Sequence, residues 1–140
     1  MTGEVGSRGL IDTNIVIHLP RLDAECLPAE MVISAVTLAE LSAGPHHTDD
    51  RAERARRTSV LQRAEAIFEP LPFDAEAARA YGLVSAATIA AGRKPRRRVA
   101  DLMIAAIAIA NDLPLHTANP TDFAGLDAIM TIVAVPRPGG

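Results

Sequence analysis

The chain has 140 residues, 49% of them apolar and 22% charged, enough for one packed core and too hydrophobic for a disordered chain. Its single cysteine, Cys26, excludes an internal disulfide and suits a reducing compartment. The longest apolar run, Leu102 to Ala110, spans nine residues against the ~18 that a membrane helix needs, and a formal charge of −3 gives no overall attraction for nucleic acid.

Residues 1–9 carry Glu4 and Arg8 among glycines, lack the apolar stretch of a signal peptide and read as a loose leader. Residues 10–136 read as one domain and 137–140 as a tail, and the chain is expected to be cytoplasmic with no membrane association. Gly9 to Ile11 is a short apolar strand entering Asp12-Thr13-Asn14, a helix cap, with the helix from Ile15 to Leu19 interrupted at Pro20. Met31 to Ser34 predicts a second buried strand. Thr37-Leu38-Ala39-Glu40 has capping-box spacing for a helix that Gly44-Pro45 closes. Asp50 to Ile67 is a long amphipathic helix with Arg51, Arg54 and Arg57 three apart on one side.

Glu69 to Phe73 predicts a short third strand, its prolines placing it at an edge. An alanine-rich helix follows from Asp74 to Ala91, ended by Gly92. Arg93, Lys94, Arg96, Arg97 and Arg98 then put five positive charges into six positions. Such a run is either a solvated loop or a local patch that holds phosphates. Val99 to Asn111 is apolar nearly all round and predicts a buried helix. Leu115 to Thr117 is a fourth strand, Pro120 to Phe123 a helical turn, and Ile129 to Val135 the last strand. This order gives an α/β fold, a mostly parallel sheet with helices on both faces.

Three acids stand where hydrophobicity predicts none: Asp12 between Leu10-Ile11 and Ile15-Val16-Ile17, Glu40 within Val36 to Leu41, and Asp101 heading the apolar helix. A carboxylate near a core is costly unless paired or bound to metal. Each has a structural alternative. Asp12 suits a helix cap, Glu40 suits the capping box with Thr37, and Asp101 suits a helix N-terminus, worth about 0.3–1 kcal/mol. Topology gives them a common cause, because Asp12 falls at the carboxyl end of the first strand, Glu40 just past the second and Asp101 ahead of the fourth, and ligands bind at the carboxyl ends of parallel strands. Asn119 or Asp122 follows the fourth strand at the same end. Carboxylates without cysteine or a spaced histidine pair suit a hard cation, Mg²⁺ or Mn²⁺. His46-His47 read as loop residues, His18 and His116 as packed, and Cys26 as inert.

In order, Leu10-Ile11-Asp12-Thr13-Asn14, Thr37-Leu38-Ala39-Glu40-Leu41, Ala100-Asp101-Leu102-Met103-Ile104-Ala105-Ala106 and Thr117-Ala118-Asn119-Pro120-Thr121-Asp122-Phe123 resemble the motifs of PIN domains, most nearly those of VapC-type toxins. The resemblance covers Leu10 to about Val135. It implies a PIN-like three-layer fold with a five-stranded parallel sheet, and an acidic pocket holding Mg²⁺ or Mn²⁺ on Asp12, Glu40 and Asp101. It also implies endoribonuclease activity on single-stranded RNA, leaving a 5′-phosphate and a 3′-hydroxyl. Many PIN domains have an acid where Asn119 stands, so the fourth site group is Asn119 or Asp122. Thr13 and Thr117 are candidates for orienting water or a carboxylate, or plain cap and strand-end hydroxyls. The segment Arg93 to Arg98 becomes the candidate grip on the RNA backbone, since few aromatics are present for base stacking.

The implied partners are a cognate VapB-like antitoxin, expected to place an arginine in the carboxylate pocket, and a second copy of the chain packed through the alanine-rich helix. Two alternatives remain at this stage. One is a catalytically silent PIN-like module that binds RNA or a protein. The other is a receiver domain, which would require a lysine after the last strand, whereas the only lysine is Lys94.

Overall fold

Leu10 and Ile11 are neighbours in sequence and both are completely buried, which requires a strand covered on both faces. A computed structural model, describing residues 7–138, places that strand, β1 (Arg8–Ile11), inside a parallel sheet. β2 (Glu30–Val32) pairs on one side, with Leu10 opposite Val32. β3 (Leu115–Thr117) pairs on the other, with Leu10 opposite Leu115, and β4 (Ile132–Ala134) follows outside it. The order is β2-β1-β3-β4. Arg8 and Gly9 thus belong to β1 rather than to the expected leader. Positions 1–6 of that segment lie outside the described residues, as do 139 and 140 of the expected tail.

The helices are α1 (Thr13–His18), α2 (Ala35–Ala43), α3 (Arg51–Ile67), α4 (Ala75–Ala90) and α5 (Val99–Ala110). None is long and apolar enough to cross a membrane. Alternation along β1 divides the core in two. Leu10 joins Ala77, Ala80 and Val84 of α4, and Leu102 and Ile104 to Ala108 of α5, on one face. Ile11 joins Ile15 and Val16 of α1, Leu41 of α2 and Ala64 of α3 on the other. The result is the expected three-layer α/β arrangement.

The sheet has four strands among the described residues, not five. The segment expected as the third strand, Glu69 to Phe73, makes a single parallel bridge, Leu71 to Ser34. Leu71 N donates to Ile33 O (2.9 Å), and Leu71 O accepts from Ala35 N (2.8 Å). Pro70 and Pro72 flank it without N–H groups, so the ladder stops after one rung. The last strand also starts later than expected, because Ile129 N and Met130 N are taken by the carbonyl of Leu126 in a turn.

His116 lies in the centre of β3 with its ring over Gly9, and a Cβ on Gly9 would stand 2.6 Å from the imidazole. Its Nδ1 is buried and without a hydrogen-bond partner, and burial lowers its pKa. Glycine at position 9 is therefore a packing requirement. Gly9→Ala is expected to lose about 1–3 kcal/mol in urea melts, the cost of overpacking, and His116→Ala in the same chain to recover most of that loss. Losses that simply add would contradict this contact.

Candidate active site

Asp12 follows the last residue of β1, and the chain leaves β1 for β2 on one side and returns to β3 on the other. The crevice between β1 and β3 is therefore the point where strand order reverses, the usual ligand site of an open parallel sheet. Asp12 is only 3% exposed. Its Oδ2 accepts from Thr117 Oγ1 across the crevice (2.8 Å) and from Asn14 Nδ2 (3.3 Å), and its Oδ1 accepts from Thr13 N (2.8 Å). The cap and site readings of Asp12 hold together, since the bond that caps α1 also fixes the carboxylate. Burial, and then the charges of Glu40 and Asp122, raise its pKa in spite of those bonds.

Glu40 is not the partner in a capping box. The N-cap of α2 is Ser34, whose Oγ accepts from Thr37 N (3.0 Å), so Thr37 is already inside the helix and Glu40 lies beyond its first turn. Glu40 is instead held by Thr13, whose Oγ1 donates to Glu40 Oε1 (2.6 Å). Thr13 has one hydroxyl proton, so its 2.9 Å bond with Thr37 Oγ1 must be donated by Thr37. Ser34 Oγ donates in turn to Thr37 Oγ1 (3.3 Å). A directed hydroxyl chain, Ser34 to Thr37 to Thr13 to Glu40, thus orients an exposed acid from a buried helix start. Sequence reasoning missed Ser34, Thr37 and Asn14 in this role. The serine just ahead of the helix was the available signal.

Asp101 lies in the first turn of α5. A carboxylate serving only as a helix-terminal charge should be stabilised in its ionised form. The opposite holds. Its pKa is pushed up to about 6, by burial first and then by Asp12, Asp122 and Glu40, with Arg98 the opposing cation. Asp12, Glu40, Asp101 and Asp122 thus share one electrostatic environment. Asp122 supplies charge to it. Asn119 uses its backbone N–H to donate to Thr117 Oγ1 (3.0 Å), and it lines a separate cleft with Asn14, His18 and Arg21.

The basic segment divides. Arg98 Nη1 lies 3.6 Å from Asp122 Oδ1, and Arg93 donates to the carbonyl of Thr121, so these two hold the turn that carries Asp122. Lys94, Arg96 and Arg97 stay exposed. Only these three are free to act as the expected outward patch.

The donor set fits a hard divalent cation, since four carboxylates gather at one crevice with one arginine against them. Among the described residues, no three acidic, imidazole or thiol side chains draw together into a ready-made metal cage. Mg²⁺ does not require one, because it keeps several waters and takes one or two carboxylates. Raised carboxyl pKa values also fix a pH dependence. The stability that a neutral Asp101 contributes is complete below the ordinary value of 3.8 and is lost as pH rises through about 6. His116, lowered by burial, acts in the other direction, losing its contribution as pH falls, so a variant isolates Asp101 better than a raw profile. In EDTA, Asp101→Asn is expected to flatten the loss of stability between about pH 5 and about pH 7.5. At the higher pH it should stabilise the protein by about 0.5–2 kcal/mol, less than the full shift because water reaches the carboxylate. Thermal melts check this, and a variant less stable than the parent would return Asp101 to a capping role.

Residues 10–128 match the PIN domain family. Ribonuclease VapC5 of Mycobacterium tuberculosis (strain ATCC 25618 / H37Rv) is 35% identical over 127 residues, covering 89% of this chain and 91% of that protein. Ribonuclease VapC of Rickettsia bellii (strain RML369-C) is 30% identical over 120 residues, covering 81% and 87%. The crystal structure of VapBC-5 from Mycobacterium tuberculosis, a member of the VapBC family of toxin–antitoxin systems, contains a similar chain. It superposes with a TM-score of 0.80 at 33% identity, covering 94% of this chain and 99% of that one. With the fold, the ordered acids and these relatives in agreement, the chain belongs to the PIN domain family, among the homologues of the VapC ribonucleases.

Proposed function

We infer that this chain is a VapC-type endoribonuclease, the toxin of a type II toxin–antitoxin pair, cutting RNA at the crevice with Mg²⁺ or Mn²⁺. The observation that carries this reading is Asp12, 3% exposed at the crevice where the strand order reverses and bonded across it by Thr117 Oγ1 (2.8 Å), with Glu40, Asp101 and Asp122 close enough to act on one another's charge. A pocket that makes its own charges unfavourable is poised to take up a cation. Asp12, Glu40 and Asp101 would hold it, directly or through its waters, with Asp122 as the fourth acid.

When bound, the metal would supply an activated water and neutralise charge on the scissile phosphate. The chain's own residues do the positioning. Thr117 and Asn14 fix one oxygen of Asp12, and the Thr13 N–H fixes the other. Thr13 donates to Oε1 of Glu40, leaving Oε2 without a protein hydrogen bond among the described residues. Arg98 holds Asp122 at the edge of the pocket.

The same reading gives the partners. A VapB-like antitoxin would silence the enzyme by inserting an arginine among the carboxylates in place of metal. A second copy of the chain would cover α4, where Leu83 and Ile89 are 60% and 62% exposed although the opposite side of the helix is packed. A cytoplasmic location follows from this role.

Incubation of the purified protein with total RNA tests the assignment. Fragments carrying 5′-phosphates are expected with Mn²⁺ and none with EDTA, and Asp12→Asn or Asp101→Asn should each lower the rate by about 100-fold or more. Cleavage that persists in EDTA or in Asp101→Asn would rule out the proposed site.

A further inference from the structure

A cleft of about 850 Å³ opens between α1, α2 and α3, and its lining begins at Thr13 and Glu40, two residues of the acidic site. From there it runs along α3 past Arg56, Arg57 and Arg63, with Arg21 in the short 3-10 turn that follows α1. We propose that this cleft is the track along which the RNA backbone reaches the acidic pocket, with Arg21 and Arg63 binding phosphates. The proposal rests on the ribonuclease reading and assigns a substrate surface to it.

The arginines of this region are not equivalent. Arg54 is committed to the carbonyls of Pro45 and Thr48, and Arg57 to the carbonyl of Gly44 and to Glu53. Arg56 also pairs with Glu53, so one carboxylate faces two guanidiniums. Arg63 has no ion pair among the described residues. Among the described residues Arg21 bonds only the ring of His18 (2.7 Å), which leaves its charge in place. Four arginines against two glutamates make the cleft positive in a chain of net charge −3.

Charge alone would also suit an acidic peptide. Continuity with the site favours RNA, because an occupant of this cleft passes directly over Glu40. Ile17, 44% exposed in the same cleft, offers an apolar surface to a base or ribose. The segment from Arg93 to Arg98 is a weaker track, since Arg93 and Arg98 are spent on the Thr121–Asp122 turn.

The test is the affinity of a fluorescein-labelled oligouridylate in EDTA, measured by anisotropy at several salt concentrations. The parent is compared with Arg21→Gln/Arg63→Gln and with Arg79→Gln, a charge control on α4 that lines neither cleft. The double variant is expected to bind about tenfold more weakly and to lose about 1.4 from the slope of log affinity against log salt, about 0.7 for each phosphate contact. Mn²⁺ binding by calorimetry should not change. Absence of salt-dependent binding by the parent would overturn the ribonuclease reading and this proposal together. Binding by the parent with a double variant equal to the control would overturn this proposal alone. So would a double variant that keeps RNA affinity and loses the antitoxin, which would assign the cleft to a protein. Should the double variant fail to fold, photocrosslinking of 4-thiouridine RNA to the parent decides. Adducts within residues 51–67 are expected, and adducts confined to 93–98 would overturn the track.

Discussion

Everything in this molecule is arranged around one buried carboxylate. Asp12 stands at the end of the central strand, and Thr117, at the end of the neighbouring strand, bonds it across the crevice between them. That bond joins β1 to β3 exactly where the sheet reverses its order, and it selects one orientation for a group that water would otherwise leave mobile. Three donors satisfy Asp12. They do not compensate it fully, because burial and neighbouring acids still raise its pKa. The remaining cost is what a cation would remove.

The scaffold accepts this cost because the rest of it is conventional. α5 is apolar along its whole length except for Asp101, and its alanines let it lie in the core cluster beside β1, β3 and α4. The acid is carried into the crevice on a helix that is largely buried. Glu40 is treated differently. It is exposed, and it depends on a chain of hydroxyls to hold its direction. The crevice thus combines one fixed buried acid with one exposed acid whose direction is set by hydrogen bonds.

Much of this was legible in the sequence, because both periodicity and its violations have physical causes. Asp12, Glu40 and Asp101 stood out as charges inside apolar stretches, and the mostly parallel α/β class followed from short apolar runs separated by helices. The failures also have causes. Glu40 read as a capping partner because Thr37 has the right spacing, whereas Ser34 one turn earlier takes the cap. Glu69 to Phe73 read as a strand because Leu71 and Phe73 alternate with prolines, yet those prolines leave only one rung. The basic segment read as one patch because charge counts ignore direction, and two of its arginines turn inward. The cleft along α3 was invisible because its lining comes from α1, α2 and α3 and is contiguous only in space.

The central claim is that the acidic crevice holds more negative charge than its protein surroundings can stabilise, and that a divalent cation supplies the difference. Calorimetric titration of the metal-free protein with Mn²⁺, repeated in buffers of different ionisation enthalpy, counts the protons displaced on binding. With Asp101 titrating at about 6, binding should release most of one proton near pH 5.5, roughly three-quarters, and very little near pH 8. Binding that releases no proton at either pH, or no saturable binding at all, would contradict the account.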